Sequence, residues 1–155
     1  MPLELSTLLQ PADIIAELVA TTKSDVLAEL ASQVAERHPG LERDELVRVL
    51  LERERLGSTG IGDGIAIPHG KLKQARELVL AFGRSRNGVE FSALDGQPVR
   101  LFFMLIAPQD AVGIHLKMLA RISRILKDPG VRRRLMEVAD AVAIHQIIQE
   151  QDSHQ

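Results

Sequence analysis

The chain has 155 residues, 45% apolar and 26% charged, a globular composition long enough to bury one core. It has no cysteine, which excludes disulfides, thiolate metal sites, iron–sulfur clusters and a cysteine nucleophile. A net charge of −2, with four phenylalanines as the only aromatics, argues against single-stranded nucleic-acid binding, which needs a basic groove with stacking rings.

The longest runs free of charge, 101–109 and 141–149, fall far short of the roughly 20 residues that span a bilayer. No basic start followed by an apolar block marks a signal peptide, so the expectation is a cytoplasmic protein without membrane insertion. No repeat or Ser/Gly linker divides the chain, and residues 1–155 are expected to form one domain with a frayed tail after about 150.

In chain order, Pro11 reads as a helix start ahead of Ile14, Ile15, Leu18 and Val19 at helical spacing. Ser24 reads as an N-cap with Asp25 in the first turn, opening a helix with Val26, Leu27, Leu30, Ala31 and Val34 on its apolar stripe. Pro39-Gly40 stops it. A further helix is expected from Glu42 to Arg55. The glycine-dense segment Gly57–Gly64 reads as a loop, and Ile65–Ile67 as a short strand closed by Pro68. Strands are expected over Leu78–Phe82 and Val99–Ala107, the second nearly all apolar and central. Asn87-Gly88 between them favours a tight hairpin. An amphipathic helix from Gly113 to Lys127, a break at Asp128-Pro129-Gly130, and helices over Val131–Glu137 and Asp140–Glu150 complete the pattern. The expected fold class is α/β, a mixed sheet covered by helices on both faces.

The glycine run does not match the nucleotide loops. Gly60, Gly62 and Gly64 give Gly-x-Gly-x-Gly ahead of a strand, and Gly70-Lys71 lacks the upstream glycine and following Ser/Thr of a phosphate loop. His69 remains, at a Pro-His-Gly corner. A neutral imidazole there can attack a phosphoryl group and later release it, although from spacing alone a polar strand terminus is the plainer reading. His115, in the first turn of its helix, reads equally as an anion-holding imidazole or a solvent-facing helix start. Arg53 and Arg55 can pair with phosphate oxygens, yet on a charged helix end a solvated arginine is the usual reading. Arg132-Arg133-Arg134, Lys71 and Lys73 read as surface. His38 reads as a turn residue, and His145 and His154 receive no role.

Taken together, Arg53-Glu-Arg-Leu-Gly-Ser-Thr-Gly-Ile-Gly-Asp-Gly-Ile-Ala-Ile-Pro-His-Gly-Lys71 resembles the active-site segment of the IIA proteins of the bacterial phosphotransferase system, fructose/mannitol type. Its wording is most similar to the nitrogen-regulatory branch. Ile114-His-Leu-Lys-Met-Leu-Ala-Arg-Ile-Ser123 resembles the second-histidine helix of the same family. The resemblance implies a five-stranded mixed sheet flanked by helices. It implies that His69 is phosphorylated on Nε2, that His115 helps to position it or its phosphate, and that Arg53 supports the phosphoryl group. The implied donor is an HPr-like phosphocarrier charged from phosphoenolpyruvate through Enzyme I. Regulatory proteins, bound according to phosphorylation state, are the implied targets. No cofactor or metal is implied.

In-line transfer between two imidazoles asks the protein for positioning and charge stabilisation. Arg53 can neutralise the phosphoryl oxygens, and backbone amides of the glycine segment or of the His115 helix can add donors. One departure is Asp63, where nitrogen-branch members carry asparagine. Its carboxylate would repel a phosphoryl group unless it points away or is paired. Three alternatives stay open: a sugar-specific IIA that passes phosphate to a fructose- or mannitol-type IIB, a binding module never phosphorylated on His69, and a metallohydrolase using His69 and His115, which lacks a ligand cluster.

Overall fold

Strand β6 (Val99–Pro108) runs through the middle of the sheet, and its apolar run is explained by burial on both faces. Leu101, Phe103, Leu105 and Ala107 face one core, and Phe102, Met104 and Ile106 face the other. The computed structural model describes residues 4–154. Strand β5 (Val79–Val89) lies antiparallel to β6 on one side, and β1 (Ile14–Ile15) joins β5 in parallel. On the other side β3 (Ile65–Ala66) and β4 (His69–Leu72) both run parallel to β6, and β2 (Gly60–Gly62) pairs antiparallel with β3. The sheet order is β1-β5-β6-β3-β2, with β4 beside β6.

Helices α4 (Val112–Leu126), α5 (Pro129–Glu137) and α6 (Ala141–Asp152) pack with α1 (Leu5–Leu8) over the face bearing Leu101 and Phe103. Helices α2 (Lys23–Arg37) and α3 (Arg43–Arg55) cover the face bearing Phe102 and Met104. This is the expected α/β class with helices on both faces. Capping residues set several boundaries. Asp128 accepts from the amides of Gly130 and Val131 with Pro129 in the first turn of α5, and Asp140 accepts from Ala143 at the start of α6. No helix among the described residues is long and apolar enough to cross a membrane.

Five expectations need correction. Pro11 opens only a short 3-10 turn to Asp13, after which Ile14 and Ile15 extend beside Phe82 and Gly83. The cap of α2 is Thr22, whose side chain accepts from the Asp25 amide; Ser24 already lies within the helix. Asn87-Gly88 makes no hairpin. It sits inside β5 at an irregularity, with Gly88 at φ 83°, and the strand re-pairs through Val89 and Val99. Pro68 does close off its strand, β3, which stops at Ala66 rather than Ile67, but pairing with β6 resumes directly after the proline. Ile65 and Ala66 lie opposite Leu101 and Phe102, and His69 to Leu72 lie opposite Leu105 to Pro108, so the spacing between partners is constant across the proline. Helix α6 runs past the expected end at Glu150 to Asp152, whose buried carboxylate accepts from Arg121 Nε at 2.5 Å.

Candidate active site

Alternation along β4 decides which way His69 faces. Gly70 and Leu72 point to the α2–α3 side, where a Cβ added to Gly70 would lie 2.5 Å from Val49 Cγ1. His69 and Lys71 therefore point to the α4 side. Among the described residues β4 pairs only with β6, so it is an edge here, and residues of α3 and α4 line a cleft beside it. The glycine lets α3 approach closely enough for its last turn to reach His69.

The result is a cleft of about 600 Å³ lined by Arg53, His69, Lys71 and His115, with Glu52, Leu56, Leu116 and Leu119 among its other walls. Leu56 and Leu116 are 84% and 61% exposed, which leaves an apolar rim beside the charged floor. Arg53, His69 and His115 thus converge. Arg55 is exposed and does not line the cleft. His145 Nε2 lies 2.7 Å from the Leu9 carbonyl, and His38 follows the last residue of α2; neither reaches the cleft. Lys71, read from sequence as surface, stands in its wall. The i, i+2 spacing from His69 on a strand was the available signal.

His69 is held at both ring nitrogens. Nδ1 donates to the Ile67 carbonyl at 2.7 Å, and Arg53 Nε donates to Nε2 at 3.2 Å. A carbonyl and a guanidinium allow one neutral tautomer: the proton is on Nδ1 and the lone pair is on Nε2. Burial holds the imidazole below its ordinary pKa, and the Arg53 charge adds to this, against the Ile67 hydrogen bond and the Glu54 charge. Arg53 Nη1 also donates to the Gly57 carbonyl at 2.8 Å, which anchors the guanidinium.

His115 stands edge-on to His69, with ring centroids 5.4 Å apart and planes at 82°. It is 5% exposed, and its Nδ1 has no hydrogen-bond partner among the described residues. Burial, then the His69 and Lys71 charges, push its pKa down to about 4, so the ring is neutral at pH 7. The two backbone sources of donors separate. The start of α4 reaches the cleft through Val112 and has no side-chain cap, leaving its first amides available. The glycine segment folds away into the β2–β3 hairpin and contributes only the Gly57 carbonyl, an acceptor.

Asp63 belongs to that hairpin. With Gly64 it forms a two-residue turn, at φ 58° and 78°, a conformation that asparagine and aspartate tolerate. Its amide donates to Asp95 Oδ2 at 3.0 Å, and its side chain is exposed and outside the cleft. Aspartate for asparagine is therefore a conservative choice of turn residue. Asp63→Asn should transfer phosphate within about twofold of the parent in a rapid-quench assay, as expected for a screened surface charge. A several-fold gain would place the carboxylate within the field of the reaction.

Among the described residues no group of three or more His, Asp or Glu side chains is arranged to hold a metal ion. The model of the phosphoenolpyruvate-dependent sugar phosphotransferase system EIIA 2 family matches residues 7–151. The chain is 41% identical over 144 residues to a nitrogen regulatory protein of Bradyrhizobium diazoefficiens, covering 93% of this chain and 94% of that one. It is 38% identical over 130 residues to the fructose-specific EIIABC component of Bacillus subtilis, covering 84% of this chain but 20% of that protein. The crystal structure of the nitrogen regulatory protein IIA-Ntr from Neisseria meningitidis superposes with a TM-score of 0.88 at 33% identity, over 93% of this chain and 98% of that one. The chain therefore belongs to the EIIA type 2 family of the phosphotransferase system, a family of phosphotransfer components, and is similar to its nitrogen-regulatory members.

Proposed function

We propose that the protein is a phosphohistidine carrier with a regulatory role. It accepts a phosphoryl group on His69 from an HPr-like phosphocarrier and changes its binding of regulatory proteins with its phosphorylation state. The observation that carries this reading is the bonding of His69. With Nδ1–H committed to the Ile67 carbonyl, Nε2 offers its lone pair into the cleft, and a guanidinium is already beside it. In the transfer, a bond forms between Nε2 and phosphorus while the phosphorus–nitrogen bond to the donor imidazole breaks, and the donor ring leaves with that electron pair. The proton stays on Nδ1, hydrogen-bonded to the Ile67 carbonyl. Arg53 exchanges its contact with Nε2 for phosphoryl oxygens, and His115 and the first amides of α4 lie close enough to the same space to help. Relatives named for nitrogen regulation, matched over nearly their full length, favour the regulatory role.

The test is the intact mass after incubation with phosphoenolpyruvate, Enzyme I and an HPr-like carrier, beside His69→Ala. One acid-labile phosphoryl group, absent from the variant, is expected. No gain with several cognate carriers would leave a binding module on this fold. A second reading, a sugar-specific IIA, is favoured by the fructose-specific relative. Onward transfer to a fructose-type IIB would support it.

The proposed chemistry sets a pH dependence. Only the unprotonated ring can attack, and burial lowers the pKa of His69 from its ordinary 6.5. Acceptance should therefore stay level from pH 8 through the ordinary imidazole range and fall only below about 6.5. Single-turnover rates across pH, with a donor prepared at neutral pH, measure this. A midpoint above 6.5 would contradict the assignment.

A further inference from the structure

Glu54 follows Arg53 in the last turn of α3, a poor place for a carboxylate, because the helix C-terminus carries partial negative charge. Its side chain is nevertheless 4% exposed. Three groups compensate it. Lys23 Nζ, from the first turn of α2, lies 2.9 Å from Oε1. The Thr59 amide donates to Oε1 at 3.1 Å, and the Thr59 hydroxyl donates to Oε2. A buried ion pair is weak evidence for stability, since an apolar side chain of similar volume often serves as well. What the pair holds is more informative.

The segment between Glu54 and Thr59 is the turn that carries Gly57. Packing does little to fix it. Leu56 is mostly exposed, and a Cβ built on Gly57, at φ +145°, meets nothing within 4 Å. Polar ties hold it: Thr59 on Glu54, and Ser58 Oγ donating to the Phe91 carbonyl at 2.9 Å. The same carbonyl accepts from Lys23 Nζ at 3.2 Å, and the ammonium lies 4.6 Å from the centre of the Phe91 ring. The Gly57 carbonyl so placed accepts from Arg53 Nη1, which aims Arg53 Nε at His69 Nε2.

We infer that Glu54 is a positioning residue: its buried carboxylate, held by Lys23 and Thr59, fixes the glycine turn whose Gly57 carbonyl aims the Arg53 guanidinium at His69. This rests on the proposed transfer to His69, but its geometric half does not need transfer to occur. Loosening the turn lets the guanidinium swing, and a misplacement of about 1 Å at a reacting group costs up to about 100-fold in rate.

The test compares Thr59→Val, which removes the hydroxyl donor at nearly constant shape, with Thr59→Ser, which keeps it. Phosphoryl acceptance from an HPr-like carrier is measured below the unfolding temperature of every variant. The Arg53 Nε–H resonance is followed by NMR in the unphosphorylated proteins. Thr59→Val should lower the maximal rate about tenfold, leave the KM for the carrier within about twofold, and broaden or expose Arg53 Nε–H. Thr59→Ser should match the parent in all three. If Thr59→Val proves too unstable, Lys23→Met, which keeps the stem over Phe91, is expected to shift the same observables in the same direction. A parent-like rate and resonance in the valine variant, or equal losses in both threonine variants, would overturn the inference. If the parent itself takes up no phosphate, the proposed function fails, and the resonance alone still decides whether Glu54 and Thr59 set Arg53.

Discussion

Arg53→Met should slow phosphoryl acceptance by about 100- to 1,000-fold while leaving the fold intact. A preorganised donor at a developing charge contributes on that scale. Arg53 is the one cation in direct contact with His69 Nε2 among the described residues, and it is anchored in advance by the Gly57 carbonyl. Methionine keeps the aliphatic stem and removes both contacts. Two effects oppose each other in this variant. The charge that helps to lower the His69 pKa is gone, so the ring becomes a stronger base, which alone would favour attack. On the proposed mechanism the phosphoryl oxygens would lose their partner, and this loss would be the larger, because positioning and electrostatic stabilisation supply nearly all of the catalysis in such a transfer. Arg53→Lys should recover only part of the rate, since an ammonium cannot present two donors in one plane to Gly57 and to the phosphoryl group. Single-turnover rates with the carrier measure both variants, and NMR titration of His69 measures the pKa rise. Parent-like rates in Arg53→Met would remove the arginine from the transfer step.

The second large effect concerns stability at a distance from the cleft. Arg84, on β5, is fully buried and has no carboxylate within ion-pair distance among the described residues. Nε donates to the Ala16 carbonyl at 3.0 Å, and Nη1 donates to the Leu135 and Val138 carbonyls at 2.8 and 2.6 Å. The guanidinium therefore closes the C-terminal end of α5, where a cation suits the helix dipole, and ties it to the segment after β1. Burial pulls its pKa down from the usual arginine range, a sign of the desolvation it bears. In Arg84→Met the desolvation cost disappears, but three carbonyls lose their donor, that of Leu135 buried and those of Ala16 and Val138 partly buried. An unsatisfied buried group costs about 1–3 kcal/mol, so the loss outweighs the relief. The expected net destabilisation is about 3 kcal/mol, or about 6–12 °C in Tm for a chain of this size. Calorimetry of the two proteins measures it, with phosphoryl acceptance unchanged at temperatures where both are folded. An equal or higher Tm in the variant would show that the buried charge costs more than its contacts return.

How much could be read from the residues differs by element. Helices α2 to α6 were legible because each carries an apolar stripe, with a proline, glycine or aspartate near its ends. Strand β6 was legible because its run of apolar residues has no break. The short strands were not. Ile14 and Ile15 have helical spacing with Leu18 and Val19, yet their place is set by pairing with Phe82 and Gly83, which local spacing does not reveal. Asn87-Gly88 carries turn chemistry, and the left-handed conformation does occur at Gly88. Pairing of Val89 with Val99 absorbs it as an irregularity within a longer strand. At the site, His69, Arg53 and His115 were named through family wording, and their convergence depends on an edge strand and on Gly70 admitting Val49. Lys71 was missed because it was weighed alone rather than as the strand neighbour of His69. The Glu54–Lys23 pair was missed because its partners lie on different helices, and charge on a helix end ordinarily means solvent.

The constant register of residues 65–66 and 69–72 against β6 also bears on how the chain can change length. One residue inserted or deleted between Ile65 and His69, with β6 unchanged, would shift β4 by one step and turn the imidazole to the α2–α3 side. His69 would then face Val49 instead of His115, and Gly70 would enter the cleft. The connection from Gln74 to Leu78 lies beyond the last paired residue of β4 and carries no such constraint. Insertions and deletions in functional descendants of this sequence should therefore collect after Leu72 and be absent from 65–72, while substitutions are accepted in both.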